Sequence, residues 1–233
     1  MQPVPITQTQ AQVQVNSFIK SVYNWMAIGL GLTGFVAFYV AHSQSLANLI
    51  FGNKLIFYGL LIGELVLVFY LSARVHKMSA SKATGLFLFY AALNGATLSI
   101  IFLAYTSSSI ASTFFICSGT FVATSIYGMV TKRDLTSIGQ FLFMGLIGII
   151  IASVVNMFVR SSGMSLIISY IGVLVFVGLT AYDTQKLKRM ALTQPADLEE
   201  GTKRKGAILG ALSLYLDFIN MFLFMLRIFG GRE

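Results

Sequence analysis

Runs of about 20 residues with almost no ionised side chain recur from one end of this chain to the other. Each is long enough to cross roughly 30 Å of hydrocarbon as a helix. Lipid offers no partner to exposed backbone amides, so runs of this length and apolarity select helices. Composition agrees: 56% of the 233 residues are hydrophobic and only 10% are charged, against about 25% in ordinary soluble domains. So few charges could not cover a soluble domain. The class expected is an all-α, polytopic membrane protein.

Seven spans are expected at about 22–41, 55–73, 84–105, 109–130, 138–159, 164–185 and 206–228. They form one transmembrane domain over residues 22–230, preceded by a polar, glutamine-rich stretch, 1–21, read as a flexible tail. That stretch has neither a basic n-region nor a small-residue cleavage site, so no removable signal peptide is expected. Most connections are short. The exception is 186–205, which is strongly charged and carries Pro195 and Gly201 as breakers. Small residues within the spans, among them Gly59, Gly63, Gly119, Gly145, Gly148, Gly206 and Gly210, are read as points where helices approach closely.

With seven spans, alternate connections face opposite sides. One side collects Lys20, Arg74, Lys77, Lys82, Lys132, Arg133, Lys186, Lys188, Arg189, Lys203, Arg204 and Lys205; the other holds Lys54, Arg160, Arg227 and Arg232. Loop Lys/Arg bias sets orientation, which places the N-terminus in the cytoplasm and the C-terminus outside. A re-entrant last span would instead return the C-terminus to the cytoplasm. The net charge of +8 is thus a topological signal, and no nucleic-acid partner is expected. The single cysteine, Cys117, excludes an intramolecular disulfide and a cysteine-rich metal cage.

Two aspartates stand inside this apolar sequence: Asp217 in the middle of the last span and Asp183 near the end of the sixth. Intramembrane carboxylates are expensive and mark functional sites by default. Ser213, Asp217 and Asn220 are four and three residues apart and share one face of the last helix. That polar stripe must face protein or water, which makes the C-terminal helix central in the bundle. The two acids can meet only if the sixth helix continues a turn or more past its apolar run, and Gln185 to Met190 contains no breaker. Carboxylates in contact at low dielectric cannot both ionise cheaply, so they share a proton and titrate as a coupled pair. The alternative leaves each acid bonded to a local hydroxyl.

Glu64 in the second span either lines a cation route or accepts a bond from a neighbouring helix. Arg74, ten residues later, either snorkels to the headgroups or bonds the ionised aspartates. Asn94, Thr97, Ser153 and Asn156 read as interhelical hydrogen-bonding residues. His42 and His76 lack partners at ligand spacing, so no metal site is fixed. Nucleophile elbows, phosphate-binding glycine loops and zinc-protease motifs are absent. Neither aspartate carries the signature of an intramembrane aspartyl protease. No enzyme is expected, and no cofactor.

Ala181-Tyr-Asp-Thr-Gln, Leu212-Ser-Leu-Tyr-Leu-Asp-Phe-Ile-Asn-Met-Phe-Leu and Lys132-Arg-Asp-Leu-Thr-Ser-Ile-Gly are similar to motifs of the transmembrane Bax-inhibitor-motif (Bax inhibitor-1) family. The resemblance covers about residues 20–230. It implies seven transmembrane helices with the last one wrapped by the others, and a pH-sensitive calcium leak. It also implies a di-aspartyl sensor, matched by Asp183 and Asp217, and an arginine latch at the cytoplasmic end of the second span, matched by Arg74. Some bacterial relatives lack the aspartates and act in control of a membrane protease; this chain keeps both. The resulting expectation is a calcium leak gated by protons, with Glu64, Ser213 and Asn220 as candidates for the ion path, in a bacterial inner membrane. Calcium enters as the transported ion. Two other readings compete: a non-conducting regulator whose 186–205 loop contacts a membrane-protein partner, and a proton-coupled transporter.

Overall fold

The computed structural model describes residues 8–195 and 198–231, and it is helical throughout apart from short connections. The helices are α1 (Gln8–Ala41), α2 (Gln44–Phe51), α3 (Lys54–Arg74), α4 (Ala80–Leu98), α5 (Ile101–Ala104), α6 (Ser107–Val130), α7 (Thr136–Val159), α8 (Ser162–Thr193) and α9 (Glu200–Phe229), with a 3-10 turn at Val75–Lys77. Among the described residues, seven segments are long and apolar enough to cross a membrane: Val13–Ala41, Lys54–Lys77, Ala80–Ala104, Ser107–Val130, Thr136–Val159, Ser162–Thr193 and Glu200–Phe229. They coincide with the seven expected spans. The last is one continuous helix, which removes the re-entrant alternative.

Boundaries differ where polar or charged sequence was taken for tail or loop. Helix α1 starts at Gln8, so residues 8–21 are helical, and residues 1–7 lie outside the described part. Val15, Phe18, Ile19 and Val22 are buried at positions three and four apart, the spacing that keeps one helical stripe turned inward. Most of 186–205 is also helical: α8 runs to Thr193 and α9 restarts at Glu200. Lys, Leu, Arg, Met and Ala are all strong helix formers, so charge ends the apolar run without ending the helix. The break comes beside Pro195. Helix α2, inside the first connection, has no counterpart among the expected spans.

The chain divides into two compact units. The first comprises Met1–Leu103 and Leu187–Leu212, the second Ala104–Lys186 and Ser213–Glu233. In the first, α1 packs along α4, and Thr33 Oγ1 donates to the carbonyl of Ala91 at 2.8 Å. A Cβ on Gly95 of α4 would lie 2.6 Å from the Thr33 carbonyl oxygen, so that crossing needs glycine. Ser99 ends α4 by returning its hydroxyl to the Ala96 carbonyl at 2.7 Å, a bond that competes with the helix ladder and bends it into α5.

In the second unit, Asn156 builds the turn from α7 to α8. Its Oδ1 accepts from the Ser161 amide at 3.0 Å and its Nδ2 donates to Ser165 Oγ at 2.7 Å. The C-terminal end is tied to the start of α6 through Thr106, whose amide donates to the Gly231 carbonyl at 3.2 Å, and through Ser109 Oγ, which accepts from the Gly231 amide at 2.9 Å.

The spans differ in how much they bury. In α9, 67% of the most apolar window is buried, against 6% in α7. Several glycines read as close-approach points face open space instead: a Cβ on Gly59, Gly63, Gly119 or Gly148 would meet nothing within 4 Å.

Candidate functional site

Helix α8 passes the end of its apolar run without interruption, so Asp183 stands within a continuous helix. In the second unit, Asp183 accepts a hydrogen bond from the Ser213 hydroxyl of α9. Asp217, one turn further along α9, interacts electrostatically with Asp183. The geometry therefore brings together Asp183, Ser213 and Asp217. Asp217 is only 5% exposed, and its Oδ2 has no hydrogen-bond partner among the described residues. Thr184, next to Asp183 in the chain, is fully buried with its hydroxyl equally unpartnered. Lys186, three residues beyond Asp183 and exposed, supplies the positive charge that acts on it.

Buried oxygens without partners are costly. A carboxyl group facing a carboxylate is relieved most simply by one shared proton, because two like charges that close at low dielectric repel strongly. The site gathers two acids, one hydroxyl bonded to Asp183 and one flanking cation.

The turn that bears Asp183 is fastened on three sides. Ala181 meets Gly128 of α6 so closely that a Cβ there would lie 3.1 Å from both the Ala181 Cα and its carbonyl carbon. Tyr182 lays its ring against Gly139 of α7, where a Cβ would come within 2.5 Å of the ring. Gln185 clamps the segment before α7: its Oε1 accepts the Leu135 amide at 2.9 Å and its Nε2 donates to the Arg133 carbonyl at 2.8 Å. Sequence reasoning singled out both motifs involved, 132–139 and 181–185, without joining them. It missed Gly128, Gly139 and Gln185 as positioning residues. The signal was present in Gln185, a polar residue two positions after a spanning aspartate.

The remaining candidates fall elsewhere. Asn220 does not reach the aspartates with its amide, which donates to the Leu216 carbonyl of its own helix at 2.8 Å. Glu64, in the first unit and 7% exposed, accepts from Thr97 Oγ1 at 2.9 Å and from Asn94 Nδ2 at 3.3 Å. Of its two sequence readings, the bond from a neighbouring helix is the one observed, and it unites three residues that the sequence had left apart. Arg74 ends α3 exposed, beside Tyr70, Lys77, Met78, Ser79 and Lys82. Among the described residues no three His, Cys, Asp or Glu side chains are grouped to hold a metal ion.

The model of a family described as "Inhibitor of apoptosis-promoting Bax1" matches residues 15–233. The inner membrane protein YbhL of Escherichia coli K12 is 52% identical over 228 residues, covering 98% of this chain and 96% of its own. An uncharacterized protein of Borreliella burgdorferi is 44% identical over 231 residues, with 99% of each chain covered. An uncharacterized membrane protein of Streptococcus pyogenes serotype M3 is 40% identical over 230 residues, with 98% of each covered. With its seven spanning helices and likeness over its full length to these proteins, the chain belongs to the Bax inhibitor-1 family of integral, multi-pass membrane proteins.

Proposed function

We propose that this protein is a proton-gated calcium leak in which Asp183 and Asp217 form the gate. The observation that carries the reading is the pair itself: two carboxyl groups acting on one another inside spanning helices, one of them buried with an unpartnered oxygen. Proton uptake between the two groups turns one acceptor into a donor and rewrites the bonds that hold α8 to α9 at Ser213. Carboxylate, hydroxyl and amide oxygens are also the ligands a hard divalent cation accepts. Calcium moving down its gradient needs no energy source, so a leak requires no nucleotide site. The resemblance implies a cytoplasmic latch at Arg74; to it this reading adds a pore along the polar face of α9, with Glu64, Ser213 and Asn220 as candidates for the ion path.

The location that fits is a bacterial inner membrane with the N-terminus in the cytoplasm, supported by the clustering of Lys and Arg on alternate connections and by the name of the E. coli relative. A periplasm-active reporter fused to the C-terminus should be active; activity from the N-terminal fusion instead would reverse the orientation.

The test is flux. Protein reconstituted in liposomes loaded with a calcium dye should give influx that changes between about pH 6 and pH 8, set by the pair. Asp217→Asn should flatten that profile, and Arg74→Gln should shift it if the latch assignment holds. The competing reading, a non-conducting regulator, draws on the family description as an inhibitor. Folded protein that gives no flux above empty liposomes at any pH would favour the regulator and sink the leak.

A further inference from the structure

Where α3 gives way to the 3-10 turn and α4 begins, Tyr70, Arg74, Lys77, Met78, Ser79 and Lys82 line a cavity of about 280 Å³. Three of these six residues are cations, and none is acidic. Topology alone places Lys and Arg at span ends. It does not require three of them to line one concavity, where an anion would meet several cations at once.

Helix α4 starts at the same place. Ser79 caps it, its Oγ accepting the Lys82 amide at 3.3 Å. The amides of Ala80 and Ser81 then have no intrahelical partner, and the first turn holds no acid to offset the positive end of the helix dipole. Lys205 adds a further cation beside the turn, its Nζ donating to the His76 carbonyl at 3.3 Å. All of these residues belong to the first unit.

The cavity joins the ends of two spanning segments, Lys54–Lys77 and Ala80–Ala104, which is headgroup depth in a bilayer. Tyr70, with an apolar ring and a polar tip, suits that level. The volume falls just short of the roughly 300–1,000 Å³ of pockets that take whole small molecules. It fits a phosphate group and its ester stub.

We propose that this cavity is a phosphate-binding site, filled by the headgroup phosphate of an anionic phospholipid or by a soluble phosphate ion drawn to the same donors. The proposal uses neither carboxylate but shares Arg74 with the latch of the proposed leak, so its test alters Lys77 and Lys82 and leaves Arg74 in place.

The test uses full-length protein in neutral detergent and native mass spectrometry with phosphatidylglycerol against phosphatidylcholine. Lys77→Gln/Lys82→Gln should weaken phosphatidylglycerol binding on the order of thirtyfold, the effect of two charges near a membrane surface. Lys77→Arg/Lys82→Arg should bind as the wild type does. Lys132→Gln/Arg133→Gln, which removes two exposed cations from another span end, should bind nearly as well. Inorganic phosphate identifies the source: displacement of the lipid at millimolar phosphate assigns the site to phosphate from either source, and no displacement assigns it to the lipid headgroup. Equal losses in the two glutamine variants would reduce the effect to general surface charge and overturn the site. So would wild-type binding by Lys77→Gln/Lys82→Gln.

Discussion

Replacing Gly128 by alanine tests whether the turn bearing Asp183 is held by close contact with α6. The new Cβ would meet the Ala181 carbonyl group and Cα, all backbone atoms, with the carbonyl carbon and Cα each at 3.1 Å. No rotamer relieves a clash with backbone, so α6 and α8 must move apart. Overpacking of this kind costs about 1–3 kcal/mol. It is partly offset by the roughly 0.5–1 kcal/mol that alanine gains over glycine within a helix. Gly119→Ala on the same helix meets nothing within 4 Å and should show the gain alone. The two variants should therefore differ by about 2 kcal/mol, or some 4–8 °C in unfolding midpoint for a chain of this size. Thermal denaturation in detergent, followed by size-exclusion chromatography of the protein that survives, measures the difference. Equal midpoints, or Gly128→Ala above Gly119→Ala, would refute the claim that this contact fixes α8.

Ser213→Ala removes the donor to Asp183 and leaves the acid pair in place. It should move the midpoint of the flux–pH profile while total flux persists, and a profile identical to wild type would remove Ser213 from the switch. Thr97→Val deletes the 2.9 Å bond to Glu64 without changing shape. It leaves a buried carboxylate oxygen unpartnered, at a cost of about 1–3 kcal/mol, so it should lower the unfolding midpoint by several degrees, and an unchanged midpoint would show that the bond adds no stability.

The sequence made the spans legible because hydrocarbon thickness imposes one length on all of them, and apolar runs mark that length directly. It also made the aspartate pair legible, since Gln185–Met190 lacks a breaker and α8 duly continues to Thr193. What it hid follows from contacts that leave no periodic trace. Gly128 and Gly139 look like any other membrane glycine, yet they carry the close approaches, whereas Gly59, Gly63, Gly119 and Gly148 face open space. The helical character of 8–21 and of most of 186–205 was masked because a glutamine-rich stretch was read as a tail and a charged one as a loop. Glu64, Asn94 and Thr97 could each be seen to need a partner, but which helix faces which is a tertiary fact.

The run from Ala181 to Gln185 shows why the motif residues occur together. Ala181 is small enough to meet Gly128, Tyr182 covers Gly139, Asp183 takes the Ser213 hydroxyl, and Gln185 holds Leu135 and Arg133. One turn of α8 thus engages α6, α7 and α9. A carboxylate on a loosely held helix would answer a proton by changing rotamer, and the change would go no further. A carboxylate fixed on a clamped turn has no such freedom, and supporting contacts of this kind are what keep a functional group in its working geometry. Any change in its bonding to Ser213 must then be taken up by the turn as a whole. In the proposed leak, the same Gln185 bonds that hold Asp183 in place would carry that displacement to the start of α7, so one half of the gate sits on its own lever.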